Sequence, residues 1–160
     1  MASRPLAVID LDGVVADVRH RLHHISGRPK NWSAFFAGVG DDPVLAEGRA
    51  VVERLAGDHE IVYLTGRPER TRAATEDWLA RQALPRGRLL MRSDDDRRPA
   101  RQLKPRLLKT LARGHEVAVV VDDDPDVCDA LTAAGWPVLR ADWMAPPEPL
   151  HAAQEAEGRT

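Results

Sequence analysis

The sequence predicts an α/β domain built on a central parallel sheet of about five strands, and three observations predict it. Short apolar runs alternate along the chain with segments of helical pattern, as strands joined by helical crossovers require. Two of those runs end in acid, Val8-Ile9-Asp10-Leu11-Asp12-Gly13 and Val119-Val120-Val121-Asp122-Asp123-Asp124. Ligands of open parallel sheets bind outside the carboxyl ends of the strands, so matching acidic tips mark one site. Finally, 160 residues with 43% hydrophobic and 30% charged side chains suit a single domain with a core of its own.

Leu6–Asp10 is a continuous apolar run, as a strand buried on both faces requires. Residues 17–41 carry helical patches at Val18–Ile25 and Trp32–Phe36, split by Ser26-Gly27-Arg28-Pro29, and read as a small flap. Asp42-Pro43 is a helix start, aspartate capping and proline in the first turn, with the helix running to about Ala56 and stopped by Gly57. His59–Thr65 is the second strand, stopped by Gly66-Arg67-Pro68. A helix over Pro68–Gln82, a short strand at Arg88–Met91 and a charged loop at 93–99 follow. Lys104-Pro105 opens a helix that closes at Gly114. Glu116–Val121 is the most β-prone segment. Asp124-Pro125 caps the next helix, Gly135 ends it, and Trp136–Leu139 is the fifth strand. The domain spans 1–144, and the proline-rich, polar stretch 145–160 reads as a loosely held tail.

Composition narrows the function. A formal net charge of −2 excludes a strongly basic nucleic-acid coat, although a local basic rim remains open. The single cysteine, Cys128, excludes a disulfide framework and fits a reducing cytoplasm. Met1–Pro5 shows no signal-peptide pattern, and no apolar stretch approaches the roughly 18 residues of a membrane helix. The expectation is a cytoplasmic protein with no membrane partner.

Asp10 and Asp12 lie two apart on extended chain, so their side chains share a face. Carboxylates that close repel unless a cation lies between them or one takes a proton. An all-oxygen site of this kind suits magnesium, and Asp122 and Asp123 could complete its shell. Asp10 could then attack a phosphorus atom while Asp12 protonates the leaving oxygen. Thr65-Gly66-Arg67 offers a hydroxyl and backbone amides to phosphate oxygens, or is a plain turn. Lys104, placed before Pro105 at a helix N-terminus, would favour an anion, or is a solvated surface lysine.

In order, Asp10-x-Asp12-Gly13, Thr65-Gly66-Arg67, Lys104 and Asp122-Asp123 resemble the four motifs of the haloacid dehalogenase-like (HAD) phosphohydrolases. The resemblance implies a three-layer, Rossmann-like domain with strand order 5-4-1-2-3 and a minimal cap. It implies that Asp10 is the nucleophile forming an aspartyl-phosphate and Asp12 the acid and then the base. Thr65 and Lys104 would steady the phosphoryl group. Magnesium would sit on Asp10, Asp122, Asp123 and the carbonyl of Asp12. A narrower likeness is to the 3′-phosphatase domain of polynucleotide kinase-phosphatases. It rests on Leu64-Thr65-Gly66-Arg67 with Thr75 and Trp78-Leu79, on Met91-Arg92 with Asp96-x-Arg98 leading to Lys104, and on Asp122-Asp123. The family often shows D-x-R-x-D-x-x-x-K, and this chain has Ala100 at the second aspartate. The kinase half is missing.

These likenesses imply a phosphorylated substrate, a nucleic-acid end or a nucleotide, with Gly66, Arg67, Arg92 and Arg98 as phosphate- or substrate-binding residues. A mononucleotidase or small-metabolite phosphatase is the alternative, and a non-catalytic phosphate- or partner-binding module is one of another class. The small flap leaves the mouth open to a large substrate. Arg19, Arg21, Arg67, Arg92, Arg97 and Arg98 could ring it, or could lie on every face. Trp32, Phe35 and Phe36 could stack on a base, or form the core of the flap. His20 and His24 share a helical face but lack a third partner for zinc. Cys128 reads as a small core residue.

Overall fold

The computed structural model describes residues 2–160. Strands β1 (Leu6–Ile9), β2 (Glu60–Pro68), β3 (Gly87–Arg92), β4 (Val117–Asp122) and β5 (Val138–Arg140) form one sheet in the order β3-β2-β1-β4-β5. Read from the other edge, this is the expected order 5-4-1-2-3. Every pairing is parallel. β1 lies in the middle with all four residues buried, which is why it reads as an unbroken apolar run.

Helices cover both faces. Alternation along β1 and β2 sends Ala7, Ile9, Ile61 and Tyr63 to one face, where α3 (Ala46–Leu55) brings Val52 and α4 (Arg72–Arg81) brings Trp78 and Leu79. Leu6, Val8, Val62 and Leu64 go to the other. There α5 (Ala100–Leu111) contributes Leu108 and Leu111, and α6 (Pro125–Ala133) contributes Val127 and Leu131. Ala100 itself is buried in this second layer. Asp124 caps α6 as expected, accepting from the Asp126 amide, and Gly135 takes a φ of +90° beyond its end.

The flap holds α1 (His23–Ser26) and α2 (Trp32–Ala37), with short 3₁₀ turns on either side. Its core is a third cluster of Val18, Leu22, Ile25, Phe35 and Phe36. The aromatic residues therefore pack on one another, Trp32 stacking on Phe36 at 6.1 Å between ring centres. The expected loose tail is corrected here. Residues Glu148–Glu155 form α7, which places Leu150 and Ala153, both fully buried, into the flap cluster. Proline in the first turn makes α7 a well-formed helix start, and its apolar stripe finds a partner only in the flap.

Three further boundaries differ. Helix α3 starts at Ala46 rather than Asp42, which is extended and buried. Strand β2 runs on through Thr65, Gly66 and Arg67 to Pro68, its register against β3 shifting after Leu64. Helix α5 starts at Ala100 after Pro99, so Pro105 lies inside it. Burial of Ala100, Leu103 and Lys104 outweighs the backbone hydrogen bond that Pro105 removes.

Between β1 and the flap, the Leu11 carbonyl accepts from the amides of Val14, Val15 and Ala16, curling the chain into a tight loop. Gly48 of α3 lies directly beneath it, and a β-carbon there would come 1.8 Å from the Val14 carbonyl oxygen. Gly48→Ala is expected to cost about 1–3 kcal/mol by overpacking. Gly114→Ala, which meets open space, is expected to stay within about 0.5 kcal/mol of the parent. Urea unfolding of both variants checks the contrast.

Candidate active site

The parallel register brings the tips of β1 and β4 side by side, Ile9 opposite Val121, and the next residues of both strands are acids. Asp10, Asp122 and Asp123 are all buried there, and each offers a carboxylate oxygen within 4.8 Å of the others. Gly13, at φ +83°, makes the approach possible, because a β-carbon on it would lie 2.0 Å from Asp123 Oδ2. Lys104, the fifth residue of α5, reaches into the cluster. Its ammonium donates to Asp122 Oδ2 at 2.5 Å and sits 3.0 Å from Asp10 Oδ1. The expectation that Lys104 acts from a helix N-terminus is thus corrected: it lies a full turn inside α5 and acts by direct contact.

The charges are unbalanced. Burial, with Asp122 close by, pushes the Asp10 carboxyl up to about 7 despite Lys104. Asp123 is driven well above its ordinary value by burial and by Asp10 and Asp122. Lys104 is raised: burial opposes its charge, but Asp10 and Asp122 together outweigh burial. Asp10 Oδ2 and both carboxylate oxygens of Asp123 are buried without a hydrogen-bond partner. Buried acceptors of this sort are costly unless satisfied, and a divalent cation is the group that would satisfy three at once.

Asp12 shares the site with Asp10 but has other partners. Its Oδ1 accepts from Arg67 Nη2 at 2.6 Å, Arg67 Nε at 3.0 Å and Arg21 Nη2 at 3.2 Å. Burial would raise its pKa, but Arg67 and Arg21 overcome that and hold it down at about 2. Its carboxylate is therefore not part of the Asp10, Asp122, Asp123 cluster, in keeping with a role for Asp12 there through its main-chain carbonyl alone. The same two guanidiniums grip Asp42, with Arg21 Nε at 2.8 Å and Arg67 Nη2 at 2.9 Å. His20 Nε2 lies 2.6 Å from Asp42 as well, and Trp78 Nε1 donates to its carbonyl. Sequence reasoning missed Asp42, since Asp-Pro is so strong a helix-start pattern that no other role suggested itself.

Thr65 is buried at the end of β2, and its hydroxyl accepts from the Arg67 amide at 3.1 Å. Arg92 is fully buried and donates to the carbonyls of Gly66 at 2.9 Å and Arg98 at 2.6 Å. Among the described residues no carboxylate lies within ion-pair distance of it, and burial lowers its pKa to about 10. Arg21, Arg67 and Arg92 lie beneath the surface, Arg19 pairs with Asp17, Arg98 with Asp96, and Arg97 donates to the Asp94 carbonyl. Cys128 is buried beside the Asp122 carbonyl, its thiol pushed up to about 12 by burial.

A family model described as the polynucleotide kinase PNKP phosphatase domain matches residues 5–143. No curated protein matches the sequence. Among solved structures, a chain of the Pnkp1/Rnl/Hen1 complex superposes with a TM-score of 0.71 at 24% identity, over 88% of this chain and 47% of that one. The present chain thus spans about half the length of that relative. A haloacid dehalogenase-like hydrolase of Streptococcus pneumoniae gives 0.61 at 14% identity, covering 97% and 93% of the two chains. The HAD-hydrolase YfnB of Bacillus subtilis, solved with magnesium, gives 0.58 at 8% identity, over 86% and 88%.

Removing one member of a buried ion cluster leaves the others uncompensated, at a typical cost of about 3–5 kcal/mol. Asp42→Ala, which strips Arg21 and Arg67 of a shared partner, is expected to fall in that range in denaturant unfolding. The outer pair Arg19–Asp17, broken by Arg19→Ala, is expected to cost under about 1 kcal/mol.

Proposed function

The chain belongs to the family of polynucleotide kinase PNKP phosphatase domains, and from that premise we propose that it is a magnesium-dependent phosphomonoesterase working through an aspartyl-phosphate on Asp10. One observation carries the reading: Asp10 presents one oxygen to Lys104 and keeps a second, buried and unpartnered, within a cluster short of positive charge. A non-catalytic module would have no need to keep an acid, a lysine and two more carboxylates in so costly an arrangement.

The donor set fits magnesium. Asp10, Asp122 and Asp123 converge with three orphaned oxygens, all hard ligands, and the fold neighbour from Bacillus subtilis holds that ion. Bound there, magnesium would neutralise charge developing on the transferring phosphoryl group. The protein's own part is as follows. Asp10 attacks phosphorus, a bond from its carboxylate oxygen forms, and the ester oxygen leaves with a proton from Asp12. Asp12 then takes a proton from water, whose oxygen displaces Asp10 and releases inorganic phosphate. Asp12 must be protonated for the first half, and a phosphate dianion arriving between it and the guanidiniums would raise its pKa by like-charge repulsion. Thr65, Lys104 and the Gly66–Arg67 backbone hold the phosphoryl oxygens, while Arg92, buried without an acid of its own, supplies a positive charge to the substrate.

Family membership favours a nucleic-acid 3′-phosphate as substrate. One relative comes from a complex described as an RNA repair complex. The pairing of Arg19 and Arg98 with nearby acids favours a second reading, a free nucleotide or small phosphoester needing no basic rim.

Phosphate release from p-nitrophenyl phosphate, mononucleotides and 3′- or 5′-phosphorylated oligonucleotides tests both readings. Turnover is expected with magnesium, loss of it with EDTA, and preference for the 3′-phosphorylated oligonucleotide. Preference for mononucleotides would favour the second reading. Asp10→Asn is expected to lower turnover at least ~10³-fold, about 4 kcal/mol in barrier, and activity surviving that change would remove Asp10 from its role.

A further inference from the structure

The segment following α7 crosses the mouth of the site. Glu157 pairs with Lys30 of the flap, and the Arg159 guanidinium lies 5.0 Å over the Trp32 ring. Gly158, at φ +56°, lets the chain press on the opposite wall, where a β-carbon would come 2.0 Å from the Arg97 carbonyl oxygen. Thr160 then descends into the site and is buried. Its hydroxyl donates to Asp12 Oδ2 at 2.9 Å, and its main-chain oxygen lies 3.5 Å from Arg92 Nη2. Its carbonyl carbon sits against Gly66, 2.3 Å from where a β-carbon there would be.

Resting on the reading of Asp10 and Asp12 as the reacting centre, we propose that residues 156–160 are an autoinhibitory strap in which Thr160 occupies the place of the alcohol released from a phosphomonoester. The chemistry matches at each contact. An alcohol leaving a phosphoester ends as a hydroxyl hydrogen-bonded to the carboxylate that protonated it, and the Thr160 hydroxyl holds that relation to Asp12. Arg92 and the Gly66 backbone, assigned to the substrate, are covered by the same residue. The anchors are two-sided, one on the flap and one on the 93–99 loop, so the strap closes the gap between them. None of these contacts is apolar burial on the scale of α7, so the strap can lift while α7 stays docked.

A site competent only when the strap is lifted binds ligand with an affinity reduced by the open fraction, tenfold for a strap closed nine-tenths of the time. The test is calorimetric titration of the full chain with inorganic phosphate in magnesium, beside a variant ending at Ala156 and the substitutions Thr160→Ala and Thr160→Ser. The shortened variant and Thr160→Ala are expected to bind phosphate at least ~10-fold tighter, with Thr160→Ser close to the parent. Equal or weaker binding by Thr160→Ala and the shortened variant overturns the strap, the latter by making Thr160 part of the binding surface. Should the shortened variant fail to fold, Thr160→Ala decides alone. The readout is binding rather than turnover, so tighter phosphate binding without hydrolysis of any ester would sink the catalytic reading and leave the strap standing.

Discussion

Six carboxylates are buried around the carboxyl ends of β1 and β4, Asp10, Asp12, Asp42, Asp122, Asp123 and Asp124, and only three buried cations contact them, Arg21, Arg67 and Lys104. The acids outnumber those cations, and Asp123 is within ion-pair distance of none of the three. Much of the remaining architecture answers to that imbalance. Parallel strands bring the acids together, since side chains leaving adjacent strands at the same end have nowhere else to go. Lys104 must be drawn inward from the middle of a helix, and the unpaired oxygens of Asp10 and Asp123 remain as the place where the balance is completed.

The site divides into two electrostatic compartments. Asp10 and Asp123, crowded and short of cations, are pushed toward holding protons; Asp12, between two guanidiniums, is held ionised. That order is the reverse of what a nucleophilic Asp10 and a proton-donating Asp12 need; a cation on the acidic cluster would lower Asp10, and a bound phosphate would raise Asp12. Asp42 sets the second compartment, because it fixes the two arginines that fix Asp12. Arg21 comes from the flap and Arg67 from the end of β2, so Asp42 also ties the flap to the sheet.

The strand tips were legible because the information is local: an apolar run followed at once by acid, twice, in a chain whose helices fall between. The sheet order and the cluster of Asp10, Asp122 and Asp123 followed from that and from the family likeness. What stayed hidden depends on partners far off in sequence. Asp42-Pro43 carries a helix-start pattern, and only Arg21 and Arg67 reveal its other use. The arginines could not be sorted into buried and exposed by type, because a guanidinium is buried only where acids or carbonyls from distant segments meet it, as they do at Arg67 and Arg92. Residues 145–160 look like solvent-exposed chain because a stripe of Leu150 and Ala153 is too short to declare itself without the flap it covers.

That shared core has a kinetic consequence. Leu22, Ile25 and Phe35 meet Leu150 and Ala153 across more than a hundred intervening residues. Closing so long a loop costs entropy that no local contact repays, so interactions of this kind form late. The acidic edge is no more local, since β1 and β4 pair Leu6 with Val117 and Ile9 with Val121 across a similar span, so the edge and its entrance both wait on long-range closure. A cation satisfying acids from both strands would bridge that closure, so refolding in its presence becomes a question of order of assembly as much as of affinity.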